Sequence, residues 1–153
     1  MSRLFFFCCA LISLIVLGCG GPGVAAPFLS GKEAEMHETG AASLLAGSKA
    51  YALKWADTEA AAELRQQLPL AKTFTELNGN EKYYKLPKHL TVADEDVREI
   101  HKGDVMLFDG QYVVVFYQDF QTTYRYTRLG HIEAANDLDA ALGAGDVFLT
   151  LQP

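Results

Sequence analysis

Val113-Val-Val-Phe-Tyr117, Thr122-Thr-Tyr-Arg-Tyr-Thr-Arg-Leu-Gly130 and Leu142-Gly-Ala-Gly-Asp-Val-Phe-Leu-Thr150 decide the fold of this chain. They read as strand, strand, the end of a short helix, and strand, with glycine at most of the breaks. β-Branched and aromatic side chains suit a pleated, half-buried surface, and glycine supplies the backbone angles that tight breaks demand. Working outward, Gly103-Asp104 opens the strand Val105-Met-Leu-Phe108, and Asp109-Gly110 turns it tightly into Gln111 to Tyr117. Asn78-Gly79 is a second such turn, because both central residues of a type I′ turn need positive φ. It joins strands expected at Leu70 to Leu77 and Asn80 to Leu86. Ser48 to Trp55 is expected as the first strand, and Asp146 to Leu151 as the last.

Two short helices interrupt this pattern. Asp57 is a candidate N-cap, since a carboxylate can accept from an unpaired first-turn amide. The helix it opens runs through Glu59 to about Gln67, with Ala61, Leu64 and Leu68 at helical spacing, and Pro69 stops it. Asn136 or Asp137 caps a second helix that reaches Leu142, and Gly143 suits its C-terminal end. About seven strands and two short helices make a mainly β domain. The strands at 105–108 and 112–117 are apolar on both faces, so one face packs a core and the other is also covered, with a helix as the expected cover. A closed antiparallel β-barrel meets these demands: it removes unpaired edges and lets helices plug its openings.

The N-terminal part reads differently. Met1-Ser2-Arg3 carries one positive charge, and Leu4 to Leu17 is almost wholly apolar. A basic start followed by an apolar run of this length is expected to be an export signal, and the run is short for a bilayer span, which takes about 20 residues. Val16-Leu17-Gly18-Cys19 resembles a bacterial lipobox, which makes Cys19 the expected lipidation site. Ordinary cleavage near Val24-Ala25-Ala26 is the competing expectation. Residues 1–19 are thus read as a signal peptide of lipoprotein type, 20–47 as a flexible tether rich in glycine and proline, and 48–152 as the folded domain. Two acyl chains would hold such a protein at a membrane where one would not. The expected location is exported: the bacterial periplasm or cell surface, with the lipid anchor as the sole attachment to a membrane.

Composition excludes several functions. Cys8, Cys9 and Cys19 are the only cysteines and all lie in the leader, so the domain has no disulfide, no thiolate metal ligand and no cysteine nucleophile. The chain carries 13 Lys+Arg against 19 Asp+Glu, a net charge of −6, without any basic run. An acidic body of this kind disfavours nucleic acid as a partner. His37, His89, His101 and His131 show no metal-ligand spacing, and Asp94-Glu95-Asp96 reads as a solvated acidic loop. No metal and no cofactor is expected.

Six blocks in order carry a resemblance: Asp57-Thr-Glu-Ala-Ala61 with Leu68-Pro69-Leu70; Leu77-Asn-Gly-Asn-Glu-Lys-Tyr83 with Leu86-Pro87; Gly103-Asp104-Val-Met-Leu107; Phe116-Tyr117 with Phe120; Tyr124-Arg-Tyr-Thr-Arg-Leu-Gly130; and Leu142-Gly-Ala-Gly-Asp146. Over nearly the whole domain the chain resembles the bacterial cyclophilin-like domain family, small proteins with a cyclophilin-type barrel. The resemblance implies a closed antiparallel cyclophilin-like barrel, frequent export, and a flavodoxin-like neighbour as a candidate partner. True cyclophilins are prolyl isomerases with a Phe-His-Arg and a Gln-Gly-Gly motif. Lys82-Tyr83-Tyr84-Lys85-Leu86-Pro87 stands at the comparable place without them, so the isomerase residues do not carry over.

The candidate site is therefore read from residue types. Tyr124, Tyr126 and Arg128 alternate on one strand face and could wall a groove for a peptide or small-molecule ligand, with two aromatic platforms and a cation. The competing reading is a cross-strand aromatic ladder with the arginine paired to a nearby acid. Asn78 and Gly79 are accounted for by the turn, which leaves Glu81 unexplained beside Tyr83. Tyr117 is the further candidate. Two functions follow: a binding module without chemistry, or a divergent prolyl isomerase that uses Arg128.

Overall fold

The structure, a computed structural model, describes residues 41–153. Cys19, the leader and the tether up to residue 40 lie outside the described residues. The chain folds as β1 (Ser43–Ala46), β2 (Lys49–Trp55), α1 (Glu59–Arg65), β3 (Leu70–Leu77), β4 (Glu81–Lys85), β5 (Glu95–Asp96) and β6 (Glu99–Ile100). It continues with β7 (Asp104–Phe108), β8 (Tyr112–Phe116), β9 (Phe120–Gln121), β10 (Arg125–Ile132), α2 (Leu138–Leu142) and β11 (Val147–Gln152). Hydrogen bonding runs β2-β1-β11-β3-β4-β8-β7-β10, and β10 returns to β2. The result is a closed antiparallel barrel of eight strands.

Closure is local and tight. Gly130 faces Trp55, His131 faces Lys54 and Ile132 faces Leu53 across the β10–β2 seam. A Cβ at Gly130 would stand 2.6 Å from the Lys54 carbonyl oxygen, so only glycine fits this close approach. A bulge between Arg128 and Gly130 lets β10 pair with β7 and then bend to meet β2. The two hairpin turns form as their residues require: Asn78 and Gly79 have φ of 58° and 72°, Asp109 and Gly110 of 49° and 65°.

Three expectations need correction. The domain does not start at Ser48. Ser43–Ala46 pairs with both β2 and β11, and buries Leu44 and Ala46. Its brevity hid it inside the small-residue tract. Thr58, not Asp57, caps α1: its hydroxyl accepts from Ala61 N at 3.2 Å and donates to Arg128 O at 2.7 Å, a cap worth about 1 kcal/mol. No helix among the described residues covers the outer face of β7 and β8. Val97, Ile100 and Phe120, from β6, β9 and the residues beside them, pack on Met106, Val114 and Phe116.

Alternation along β7 and β8 thus feeds two cores. Val105, Leu107, Val113 and Val115 point into the barrel, where α1 adds Ala60, Ala61 and Leu64 and α2 adds Leu138 and Leu142. Each fully buried Leu or Val there contributes roughly 1.5–3 kcal/mol. Met106, Val114 and Phe116 point outward into the second cluster with Tyr126. The long connection before β7 is strapped down. Thr91 donates twice to the Glu63 carboxylate, both at 2.8 Å, and Thr127 Oγ1 accepts from Ala93 N and donates to Asp94 Oδ1.

A lysine sits inside. Lys82 is fully buried. Its ammonium pairs with Glu76 and donates to Gly143 O at 2.9 Å and Gly145 O at 2.6 Å, 5.2 Å from the centre of the Tyr117 ring. Tyr117 Oη donates to Glu76, 2.8 Å from both carboxylate oxygens. Lys82→Ala is expected to cost about 3 kcal/mol, because it strands Glu76 and two carbonyl oxygens; a urea-unfolding midpoint equal to that of the parent chain would refute the role given to this ammonium.

Candidate functional site

The second cluster floors an open groove of about 1220 Å³ on the outside of the barrel. β4 contributes Glu81 and Tyr83, which alternation turns outward while Lys82 and Tyr84 turn inward. β7 and β8 contribute Phe108, Tyr112 and Val114; β10 contributes Arg125 and Tyr126; the segments before it contribute Phe120 and Tyr124. Asp96, Arg98 and Glu99 form the opposite lip.

The aromatic rings make a continuous surface. Phe108 lies 5.8 Å from Tyr124, edge to face, 5.5 Å from Tyr126 and 6.4 Å from Tyr112. Tyr83 meets Tyr112 at 5.9 Å, and Phe116 bridges Phe120 and Tyr126 beneath. Tyr124 is 63% exposed and presents its ring at the rim of the groove. These pairs share ring centroid distances at which edge and face quadrupoles attract.

The structure brings together Glu81, Tyr83, Tyr124 and Tyr126 of the residues singled out in the sequence. It does not bring Tyr117 or Arg128 to them. Tyr117 belongs to the barrel interior and is held by Glu76. Arg128 lies beyond the groove, paired with Glu95, and Arg125 enters the groove instead. Strand alternation put Tyr126 and Arg128 on one face, but β5 pairs alongside Arg125 and Tyr126 and carries Glu95 to the arginine. Phe108 and Tyr112 also line the groove and are not among the residues singled out in the sequence. The signal was present, since Met106/Phe108 and Tyr112/Val114/Phe116 each repeat at two-residue spacing on the outer face, flanking a tight turn.

Glu81 carries the unusual electrostatics. Its carboxyl is pushed up to about 7, first by burial and then by the negative charge of Glu76. Glu76 goes the other way. Burial alone would raise it, but Lys82, Tyr117 and the Gly79 amide together hold it below the usual carboxylate range. The Tyr126 phenol is pushed up to about 12, by burial first and then by Glu81. Among the described residues, Glu81 has neither a hydrogen-bond donor nor an ion-pair partner, and the neighbouring Asn80 Oδ1 is buried without a donor.

Elsewhere, His131 Nδ1 lies 3.0 Å from the buried Asp104 Oδ1, whose other oxygen accepts from His101 N. Among the described residues no hydroxyl or thiol joins this pair within hydrogen-bond reach, and no metal-ligand cluster forms. Asp94, Glu95 and Asp96 are occupied by Thr127, Arg128 and Arg98 respectively. No helix among the described residues is long and apolar enough to cross a membrane.

With this geometry in place, the comparison with known proteins is direct. The cyclophilin-like family is matched over residues 44–152, and the chain belongs to that family. Neither a curated protein nor a solved structure matches it.

Glu81 also makes a stability prediction. Its folded pKa lies above the ordinary glutamate value of 4.5, so the native state holds the proton more tightly than the unfolded chain. Stability is therefore lost as pH rises from about 4.5 to about 7, and is level above that. Glu81→Gln is expected to match the parent near pH 4 and to exceed it at pH 8 by on the order of 2 kcal/mol, after allowing for partial exposure. Parallel thermal melts at the two pH values check this; a parent-to-variant difference that does not change with pH would contradict it.

Proposed function

We propose that this protein is an exported, lipid-anchored binding module whose outer groove takes a peptide or small organic ligand. The observation that carries the reading is the groove itself: a concave aromatic surface with a partnerless carboxyl at one end and an exposed tyrosine at its rim. Concavity, ring area and a few fixed polar groups are what ligand sites have in common. A binding role needs no further group, whereas catalysis would need a positioned acid, base or nucleophile set.

The alternative, a divergent isomerase that uses Arg128, finds less support, since that guanidinium pairs with Glu95 and is not part of the groove lining. A protease-coupled isomerase assay on the full chain decides between the two. Background rates are expected, and a rate that disappears in Arg125→Ala or Arg128→Ala would replace binding by catalysis. For binding itself, a fragment screen by NMR on the full chain in micelles is expected to shift resonances of Tyr83, Tyr112 and Tyr124. Tyr124→Ala is then expected to weaken the hits by roughly fivefold or more, the loss of one stacking partner. Hits that cluster elsewhere would move the site.

Export and anchoring rest on the leader and on Cys19. Growth of the expressing cells with radiolabelled palmitate is expected to label the chain and not Cys19→Ala. Equal labelling of the two, or none of either, would leave simple secretion as the better account. A flavodoxin-like partner rests on family association alone and has no counterpart feature in the groove.

A further inference from the structure

The groove has an acceptor that lacks a donor. Glu81 lines it with no donor from the described residues, and Asn80 Oδ1, buried next to it in sequence, has none either. Asp96 and Glu99 on the opposite lip and Asp109 in the β7–β8 turn are the other acidic members of the lining. Its two arginines are already engaged: Arg98 Nε with Asp96 at 3.1 Å, and Arg125 Nη2 with the Asp94 carbonyl at 2.6 Å. The chain's own lysine next to Glu81 is turned into the barrel and neutralised there.

The aromatic floor favours a positive charge as well. Lys85 Nζ lies 5.4 Å from the centre of the Tyr112 ring, so a cation already rests on the edge of this surface. Ring faces attract cations through their quadrupole, more strongly where water is displaced. A partly buried carboxylate gains most from a partner that brings both charge and N–H donors.

We propose that the groove selects a ligand with a cationic, N–H-bearing head, a guanidinium or primary ammonium, with Glu81 as its counter-ion and the aromatic floor that begins at Tyr83 as the surface on which the rest of the ligand lies. This rests on the binding-module reading and names the ligand class for it. The head supplies the donors that Glu81 lacks, and its charge offsets the repulsion between Glu81 and Glu76. Binding therefore takes the ionised form of Glu81 and releases its proton where the free groove holds one.

The groups that face Glu81 set the pH dependence. Glu76 comes from β3, Tyr117 from the end of β8, and Tyr126 from β10. Tyr83 and Tyr112 lie on β4 and β8, with Tyr124 and Arg125 at the start of β10. Asp96, Arg98 and Glu99 face from the β5–β6 segment, and Asp109 from the β7–β8 turn. Of the carboxyls among these, Glu81 is the one raised to about 7. Affinity for the cation is thus expected to fall about tenfold per pH unit below that value, and to level off above it.

The test uses the full chain in micelles and two matched pairs of probes. Butylguanidinium is compared with butylurea, its uncharged isostere, and an acetylated Gly-Arg-Gly amide with the same peptide carrying citrulline. Binding is followed by NMR shifts in the groove at pH 5.5 and 8.5. At pH 8.5 each cation is expected to bind at least about tenfold more tightly than its neutral isostere. At pH 5.5 the cations are expected to lose roughly 30-fold. Glu81→Gln should remove both the preference and the pH dependence, whereas Tyr124→Ala should weaken every probe and keep the pH dependence. The arginyl peptide binding more tightly than butylguanidinium would indicate a peptide ligand; equal affinities would indicate a free small molecule. Butylurea and the citrulline peptide binding as well as the cations would overturn the inference while leaving the groove as a site. No groove shift with any probe would overturn both.

Discussion

A buried lysine ammonium organises one end of this barrel. Lys82 is held by Glu76 and by two carbonyls of the loop between α2 and β11. Three pieces of chain far apart in sequence are thereby tied: the β3–β4 hairpin, the loop after the second helix and, through Tyr117, the end of β8. A buried charge is tolerable only when its partners are this complete. Because β4 alternates, an inward Lys82 obliges Glu81 and Tyr83 to face outward. The interior network thus sets what the groove receives. It keeps the nearby cation and hands the outer surface a carboxyl with no counter-charge.

The electrostatics of the two glutamates follow from the same split. Glu76 and Glu81 are neighbours in space, close enough for one to raise the other, yet they move in opposite directions. Glu76 has a lysine, a phenol and an amide around it; Glu81 has aromatic surroundings and Glu76. Desolvation favours the neutral form, and compensating donors favour the charged one. The contrast on one hairpin is between a carboxylate surrounded by donors and a carboxyl without one among the described residues.

How much of this could be read in the residues differs from element to element. The Asn78-Gly79 and Asp109-Gly110 turns and the inner stripe of α1 were legible because local backbone chemistry decides them. The first strand was not, since four residues within a small-residue tract carry too little pattern. Glu81, Tyr83, Tyr124 and Tyr126 could be named as candidates, but Tyr117 and Arg128 could not be told from them. Both tyrosines 117 and 126 follow alternating patterns. Which of the two alternating faces lies inside the barrel is set by pairings with strands distant in sequence.

The residues by themselves determined that the chain makes short antiparallel strands with tight turns and no thiol chemistry in its body, because turn geometry and composition are local properties. They also determined that two strands must be covered on both faces. Only the tertiary structure decided what does the covering, that Lys82 is sealed inside, and that Arg125 rather than Arg128 reaches the groove. The physical reason is that closing a sheet into a barrel fixes register and facing across long sequence distances, and a one-residue change in either would send each side chain to the other side.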